Sequence, residues 1–157
     1  MNRYSSLAWP SVSRLTALAF VPNRVRVAAL RAFGAQIERG VLIRPRVRVH
    51  APDRLRIGAD SWIGENVTVA NSEGDVRIGS NVVLSQSASL ITHAATGEPM
   101  VIDDGAWIAL RATVVGPVHI GRRAVIGAAA TAEHNVAPGS VVLSPTTIRV
   151  DSLTQRP

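Results

Sequence analysis

Apolar residues recur every six positions from residue 37 onward. Each unit of six opens with Ile, Leu or Val, and a small residue, Ala, Val or Ser, follows four places later. The aliphatic positions are Ile37, Ile43, Ile57, Ile63, Ile78, Leu84, Leu90, Ile102, Ile108, Val114, Ile120 and Ile126. Their small counterparts are Val41, Val47, Ser61, Val67, Val82, Ala88, Ala94, Ala106, Ala112, Val118, Ala124 and Ala130. A short fixed period predicts a repeat architecture, in which each unit adds a short strand and a corner and turns two side chains inward.

The fourth position of many hexads is suited to a corner, because Gly, Asn and Asp tolerate the left-handed backbone of a tight turn. The residues concerned are Gly40, Asp60, Asn66, Asn81 and Gly105. The six-residue register runs unbroken from Ile78 to the hexad that starts at Ala132, although Thr96 departs from the aliphatic rule. Two irregularities come earlier, at residues 49–56 and 69–77.

The N-terminal segment has a different period. We predict two short helical pieces between residues 12 and 33, broken at residues 21–23. Apolar residues at helical spacing form a stripe along the second piece, and Gly34 is a suitable stop. The stripe consists of Val25, Ala28, Ala29, Ala32 and Phe33. Such a helix covers the open end of a repeat array; a helix lying on a membrane surface is the open alternative.

Three of the hexads carry a family likeness. Those that begin at Ile63, Ile78 and Ile120 read Ile-Gly-Glu-Asn-Val-Thr, Ile-Gly-Ser-Asn-Val-Val and Ile-Gly-Arg-Arg-Ala-Val. They resemble the left-handed parallel β-helix of the hexapeptide-repeat acyltransferases. A closer likeness, to the colanic-acid-type exopolysaccharide O-acetyltransferases, rests on five further segments. These are Leu30-Arg-Ala-Phe-Gly-Ala, Val41-Leu-Ile-Arg-Pro-Arg-Val, Ile78-Gly-Ser-Asn-Val-Val-Leu-Ser-Gln, Val101-Ile-Asp-Asp-Gly-Ala-Trp-Ile and Ala137-Pro-Gly-Ser-Val-Val.

The resemblance implies a fold and a division of the chain. The expected fold is all-β, a left-handed parallel β-helix of hexapeptide repeats with a short N-terminal helical cap, in which three hexads close one coil. We expect the helical cap over residues 1–36, the β-helix acyltransferase domain with about six coils over residues 37–143, and a C-terminal tail over residues 144–157.

Composition limits the chemistry that this fold can carry. The 157 residues suit a single domain. The absence of Cys excludes disulfides, thiolate metal ligands and Cys nucleophiles and is compatible with a reducing cytoplasm. His and carboxylate side chains must therefore supply any acid–base chemistry. The spacing of His50, His93, His119 and His134 does not resemble a zinc site, and we expect no metal.

Positive charge is concentrated near the N-terminus. All 17 basic residues are Arg, against 11 acidic residues, and nine Arg lie between Arg24 and Arg56 with only Glu38 and Asp53 to balance them. Such a stripe can meet nucleic acid, an anionic membrane or a phosphorylated substrate. No nucleic-acid-binding module accompanies it, so we expect no nucleic-acid partner. The run Leu15–Val21 is too short to span a membrane. We expect a cytoplasmic protein, with peripheral contact to an anionic membrane left open.

His93 is the candidate catalytic residue. It follows Leu90-Ile-Thr and precedes the one hexad, starting at Thr96, that departs from the pattern. In the family that the chain resembles, a His after the same strand acts as the general base on the acceptor hydroxyl. The family's His-Asp pair is here a His without the Asp. A purely structural role as a left-handed corner residue is the alternative, because His93 occupies the fourth position of its hexad.

The resemblance also implies residues that contact acetyl-CoA. Trp107 corresponds to a Trp near the acyl pocket, and Ala109 replaces a Gly whose backbone meets the pantetheine arm. Ala128 falls at a backbone contact to the coenzyme. His134 lies in the segment that replaces the family's Thr-Lys-Asp, and Arg149 is a candidate for the positive charge of the missing Lys. Ordinary packing of the coils is the alternative for each.

The function implied is transfer of an acetyl group from acetyl-CoA to a hydroxyl of a sugar or glycolipid acceptor in polysaccharide or glycolipid biosynthesis. A homotrimer is expected, because the family's active site lies between subunits and Val83, Val115 and Val125 fall on outward faces. Two alternatives stay open at this point. One is a degenerate β-helix that binds or scaffolds without catalysis. The other is acetylation of a small acceptor that is not a sugar.

Overall fold

The computed structural model describes residues 3–93 and 97–145 of the protein. Two helices come first, α1 (Arg3–Thr16) and α2 (Asn23–Ala32), and a short 3₁₀ turn spans Pro52–Arg54. Sixteen short strands follow within the described ranges. They are β1 (Gln36–Ile37), β2 (Leu42–Ile43), β3 (Arg48–Val49), β4 (Leu55–Ile57), β5 (Trp62–Ile63), β6 (Thr68–Ala70), β7 (Val76–Ile78), β8 (Val83–Leu84), β9 (Ser89–Ile91), β10 (Met100–Ile102), β11 (Trp107–Ile108), β12 (Thr113–Val115), β13 (His119–Ile120), β14 (Val125–Ile126), β15 (Thr131–Ala132) and β16 (Val141–Val142).

Every third strand belongs to the same parallel sheet. Sheet A contains β1, β4, β7, β10 and β13 in that order, sheet B contains β2, β5, β8, β11, β14 and β16, and sheet C contains β3, β6, β9, β12 and β15. One strand of each sheet makes one coil, so the described strands form five complete coils, and an Ile120–Val136 bridge and β16 begin a sixth. The predicted fold, a left-handed parallel β-helix with a helical cap, is confirmed.

The first residues of the hexads stack into ladders inside the three sheets. In sheet B the ladder runs through Ile43, Ile63, Leu84, Ile108 and Ile126, which pair in register from coil to coil and are at most 2% exposed. The small residues at the fifth position are also buried; Ala106, Ala112, Ala124 and Ala130 have no exposed surface. The narrow interior leaves room for one large and one small side chain per hexad, which explains the composition of the repeat.

The three corners of each coil differ from one another. Every A–B corner, from Gly40 to Gly139, contains a residue with positive φ, and so does every B–C corner, from Arg46 to Ala129. The C–A corners vary in length, and the first three of them carry the extra residues. The irregularities at residues 49–56 and 69–77 fall on this corner, as does the connection between β9 and β10. The C–A edge is therefore where the chain can carry a site without disturbing the ladder.

Helix α1 begins nine residues earlier than predicted and continues through Pro10. Trp9 explains this extension, because it is only 6% exposed and donates a hydrogen bond from Nε1 to the Val49 carbonyl, 2.7 Å away. Its ring also packs against Phe33 at a centroid distance of 5.1 Å. Burial of one large ring against the first coil outweighs the hydrogen bond that Pro10 removes from the helix.

Helix α2 ends as predicted, with Gly34 at a φ of +101° just after it. The cap therefore covers the open end of the first coil. Neither helix in the described part of the chain has the length and apolarity that crossing a membrane requires.

Candidate active site

His93 lies directly after β9, on the C–A corner of the third coil, and its side chain is exposed. Its backbone does not have a positive φ, unlike the residues of the A–B and B–C corners. The prediction that His93 could serve as a left-handed corner residue is therefore wrong for this position. The reason is that the connection between β9 and β10 is long, spanning residues 92–99, so the fourth residue of this hexad does not have to form the corner.

The His93 ring rests on the corner of the next coil. Gly116, with a φ of +87°, lies so close that a Cβ atom built on it would fall 2.9 Å from Nε2 of His93. The Gly116 backbone is held on both sides, because its N–H donates to the Ile91 carbonyl at 2.9 Å and its carbonyl accepts from the Val118 N–H at 3.0 Å. The imidazole is thus placed against a fixed piece of backbone.

A groove of about 580 Å³ opens beside this ring. His93 forms one end of its lining, and His134 from the fifth coil is part of the same lining. The remaining lining residues are Val115, Gly116, Pro117, Val118, Glu133 and Asn135. Corners of three successive coils therefore meet in one open groove, which contains two imidazoles and a carboxylate.

Neither imidazole of the groove has a hydrogen bond or ion pair to another of the described side chains. An imidazole without such a partner can accept a proton from a bound hydroxyl and return it to a leaving group, which is the usual use of His as an acid–base group. The groove therefore has a group that can act as a general base, placed next to open space.

A His–Asp pair that was not predicted lies on sheet A. The Nε2 atom of His119 is 2.8 Å from Oδ2 of Asp103, and Oδ1 of Asn135 accepts the His119 backbone N–H at 2.8 Å. The pair arises because β10 and β13 are neighbours, with Val101 beside His119. Alignment of the hexads by coil would have brought Asp103 and His119 together. Asn135 connects this pair to the groove that His93 lines.

The predicted coenzyme residues fall into two places. His134 is in the groove with His93, whereas Trp107, Ala109 and Ala128 lie on sheet B and its corner with sheet C. Trp107 is 49% exposed and donates from Nε1 to Oγ of Ser85 at 2.9 Å. Ala109 is buried, and the exposed Ala128 accepts a hydrogen bond from Oγ of Ser144 at 2.7 Å.

Sheet B is the side of the triangular coil opposite the C–A corner. One chain therefore does not bring Trp107, Ala109 and Ala128 to His93, because the core of the solenoid lies between them. Arg149 lies outside the described residues. Within the described ranges, no group of three or more His, Asp or Glu side chains is arranged to hold a metal ion.

Curated proteins and solved structures resemble this chain. A protein of Escherichia coli K12 named as a colanic acid biosynthesis acetyltransferase, WcaF, is 36% identical over 114 residues, which are 67% of this chain and 62% of that protein. The predicted resemblance to the hexapeptide-repeat acyltransferases is confirmed. No protein-family profile matches the chain.

Three solved structures of two proteins share the hexapeptide-repeat fold. A hexapeptide-repeat acetyltransferase of Vibrio cholerae superposes with a TM-score of 0.76 at 21% identity, over 89% of this chain and 90% of that one. Its complex with acetyl coenzyme A gives a TM-score of 0.73 at 20% identity, over 88% and 80% of the two chains. A maltose O-acetyltransferase of Clostridium difficile gives 0.70 at 19% identity, over 92% and 88%.

At these identities the three structures establish the fold alone. The chain spans about three fifths of the length of WcaF.

Proposed function

We propose that this protein is an O-acetyltransferase that moves an acetyl group from acetyl-CoA to a hydroxyl of a sugar, within polysaccharide or glycolipid biosynthesis. The observation that carries the proposal is His93, an exposed imidazole without a partner among the described side chains, at the mouth of a groove on the one irregular corner of the β-helix. The name of WcaF and the acetyl coenzyme A complex of the Vibrio cholerae structure support the donor and the pathway.

In the proposed reaction, a nitrogen of His93 takes the proton of the acceptor hydroxyl as its oxygen attacks the thioester carbonyl carbon. The new C–O bond gives a tetrahedral intermediate, and the C–S bond then breaks. The imidazolium returns the proton to the departing sulfur, so that the products are the acetyl ester and the free thiol. No covalent acetyl-enzyme is needed, and the chain has no Cys to form one.

We further propose a homotrimer in which sheet B of one chain faces the C–A groove of its neighbour. Sheet B carries an outward row of apolar residues, one on each of its six strands. The row is Leu42, Trp62, Val83, Trp107, Val125 and Val141. Contact along this row would bury Trp62 and Trp107, which are 43% and 49% exposed. It would also bring Trp107, Ala109 and Ala128 toward the neighbour's His93, which one chain cannot do.

Such an assembly would explain why the predicted coenzyme residues are divided between two sides of the coil. His134 would contact the coenzyme from the side of the groove. Trp107, together with the Ala109 and Ala128 corner, would contact it from the neighbouring chain.

A donor made in the cytoplasm and the absence of Cys both favour a cytoplasmic site of action.

Two other functions are distinguished by simple measurements. A scaffold without catalysis would bind coenzyme A and release no thiol from acetyl-CoA with any acceptor. An acetyltransferase for small acceptors that are not sugars would release thiol with hydroxyl- or amine-bearing small molecules and not with oligosaccharides. A panel of both acceptor types with the purified full chain therefore separates the three functions.

The test of the proposed role is His93→Ala compared with His50→Ala. Both are exposed His residues that follow a sheet C strand, but His50 lies two coils away and does not line the groove. Removal of a general base costs about 10²- to 10⁴-fold in kcat. We expect that loss for His93→Ala with unchanged coenzyme affinity, and no loss for His50→Ala. Equal activity of the two variants on an acceptor that the wild type acetylates would overturn the assignment.

A further inference from the structure

The turn between α1 and α2 exposes large apolar side chains to solvent. Phe20 is 82% exposed, Leu15 63%, Leu18 42% and Val25 43%. All four lie within eleven successive residues, on the turn and on the helix ends beside it. Single exposed apolar residues are ordinary on a protein surface, whereas four large ones on one turn and its flanking helix ends indicate an interaction site.

The turn is held firmly to the β-helix. Arg26 is only 7% exposed, and its guanidinium donates to the carbonyls of Thr16, Leu18 and Ile43 at 3.0, 2.8 and 3.3 Å. The backbone N–H of Arg46 donates to the Ala17 carbonyl at 2.8 Å. A buried charge with this many bonds fixes the path of the turn. The exposed cluster is therefore presented by a rigid support.

Asn23 fixes the other side of the turn. Its Nδ2 donates to the Val41 carbonyl at 2.9 Å, and its Oδ1 accepts the Ile43 N–H at 2.7 Å. The start of α2 is thereby pinned to β2 of the first coil. Phe20 projects from a loop whose two ends are both attached to the solenoid.

The chain segment that carries the cluster has charged residues of one sign only. Residues 1–37 contain five Arg and no Asp or Glu, and the first acidic residue is Glu38. Arg14 and Arg24 flank the turn in sequence and are exposed, and Arg44 is exposed in the first coil beside it. A second copy of the same surface would bring like charges together, which opposes self-association through this patch. A surface with negative charge and an apolar interior is complementary to it.

We propose that this turn docks the protein on an anionic lipid bilayer, with Phe20 and Leu18 entering the headgroup boundary and Arg14 and Arg24 meeting lipid phosphates. Peripheral binding of this kind requires apolar insertion and basic residues together, because either signal alone gives weak adhesion. The proposal does not depend on the acetyltransferase activity. The turn lies at the first coil, whereas His134 lies at the last coils, at the other end of the stack.

The test is co-sedimentation of the full chain with vesicles of phosphatidylcholine alone or mixed with phosphatidylglycerol. We expect binding only to the mixed vesicles and weakening with added salt. Phe20→Ser should abolish most of the binding, whereas Leu143→Ser, which changes a residue that is 75% exposed at the other end of the solenoid, should leave it unchanged.

The basic contribution is tested with Arg24→Gln against Arg111→Gln, an exposed Arg on a distant B–C corner. Each basic residue near an anionic surface contributes a factor of about five in affinity. We expect about that loss for Arg24→Gln and none for Arg111→Gln.

Three results would overturn the proposal. The first is absence of wild-type binding to the mixed vesicles. The second is equal binding by Phe20→Ser and Leu143→Ser, which would indicate adsorption by charge alone. The third is a change in oligomeric state with Phe20→Ser in sedimentation without lipid, which would show that another copy covers the patch. Thiol release from acetyl-CoA with a water-soluble acceptor is measured on Phe20→Ser and Arg24→Gln and should not change.

Discussion

The Nε2 atom of His93 lies 2.9 Å from the position that a Cβ atom on Gly116 would occupy. Two nonbonded atoms of this kind do not approach so closely, so only glycine lets the imidazole rest where it does. Gly116 also has a φ of +87°, which glycine adopts without strain. The corner of the fourth coil therefore sets the position of the candidate base on the third.

Gly116→Ala should displace the His93 ring and lower the rate of acetyl transfer. A misplacement of about 1 Å costs up to roughly 10²-fold in rate, and we expect a 10- to 100-fold loss of kcat on that basis, with unchanged coenzyme affinity. Gly139→Ala is the matched control, because Gly139 has a similar φ of +69° and no atom within 4 Å of a built Cβ. Both variants carry the backbone strain, and only Gly116→Ala carries the contact with His93.

A double-mutant cycle distinguishes positioning of His93 from general damage to the groove. In the His93→Ala background, Gly116→Ala should have no further effect on kcat, because the ring that it displaces is gone. The same fold loss in both backgrounds would show that Gly116 acts on something other than His93. Thermal melting of all four proteins checks that each remains folded.

Much of the fold could be predicted from the hexads, because the narrow triangular core determines which residue of each hexad must be large and which must be small. The pairing of Ile108 with Ile126, which lie 18 residues apart, follows from the six-residue period alone. Leu84 and Ile108 lie 24 residues apart, because the connection between β9 and β10 adds six residues that the period does not reveal. The corner residues were predicted less completely. Arg111 and Ala129 have positive φ although neither is Gly, Asn or Asp. The strand ladders on both sides of a corner impose the positive φ, so the residue type at the corner does not predict it.

The candidate site was predicted in part, because sequence spacing locates a corner but does not show which corners face one another. His93 and His134 share a groove, as stacking of whole coils allows. Trp107 lies on the opposite side of the coil, because its strand β11 belongs to sheet B, whereas His93 follows β9 of sheet C. The Arg-rich segment is likewise divided: Arg46 pairs with Glu65, and Arg31 donates to the Ile37 carbonyl at 3.0 Å. Its charges therefore do not form one continuous stripe.

Charge placed on the outward row of sheet B should break the proposed trimer. Val83 lies between Trp62 and Trp107 in that row and is half-buried already in the single chain. Val83→Glu would place a carboxylate where the neighbouring chain is expected to pack, and desolvation of that charge disfavours association. We expect monomers in analytical ultracentrifugation and a corresponding loss of acetyl transfer.

Val101→Glu is the matched control for this prediction. Val101 points outward from sheet A at the same kind of position and has similar exposure. It should leave both the sedimentation coefficient and the activity unchanged. Monomers in the wild type at micromolar concentration, or full activity of a monomeric Val83→Glu protein, would contradict an active site shared between chains.

Arg26 belongs by sequence to the basic segment and by structure to the core of the cap. Burial lowers the pKa of its guanidinium, and the charge of Arg44 nearby acts in the same direction. Because arginine titrates far above neutral pH, the group stays charged in the folded protein. Its donors are taken up by the carbonyls of Thr16, Leu18 and Ile43, so the desolvation of the charge is offset by hydrogen bonds.

Arg26→Lys should therefore destabilise the cap although it keeps the charge. A lysine ammonium is a compact point charge and does not reproduce the planar fork of the guanidinium, so buried carbonyls lose their donors. The expected loss is about 2–4 kcal/mol in the free energy of unfolding, from the cost of leaving such groups unpaired. Chemical denaturation followed by circular dichroism measures it. Arg24→Lys, at an exposed position two residues earlier in the same helix, should change stability by less than about 0.5 kcal/mol. Equal stability of the two variants would mean that Arg26 does not fasten the turn to the β-helix.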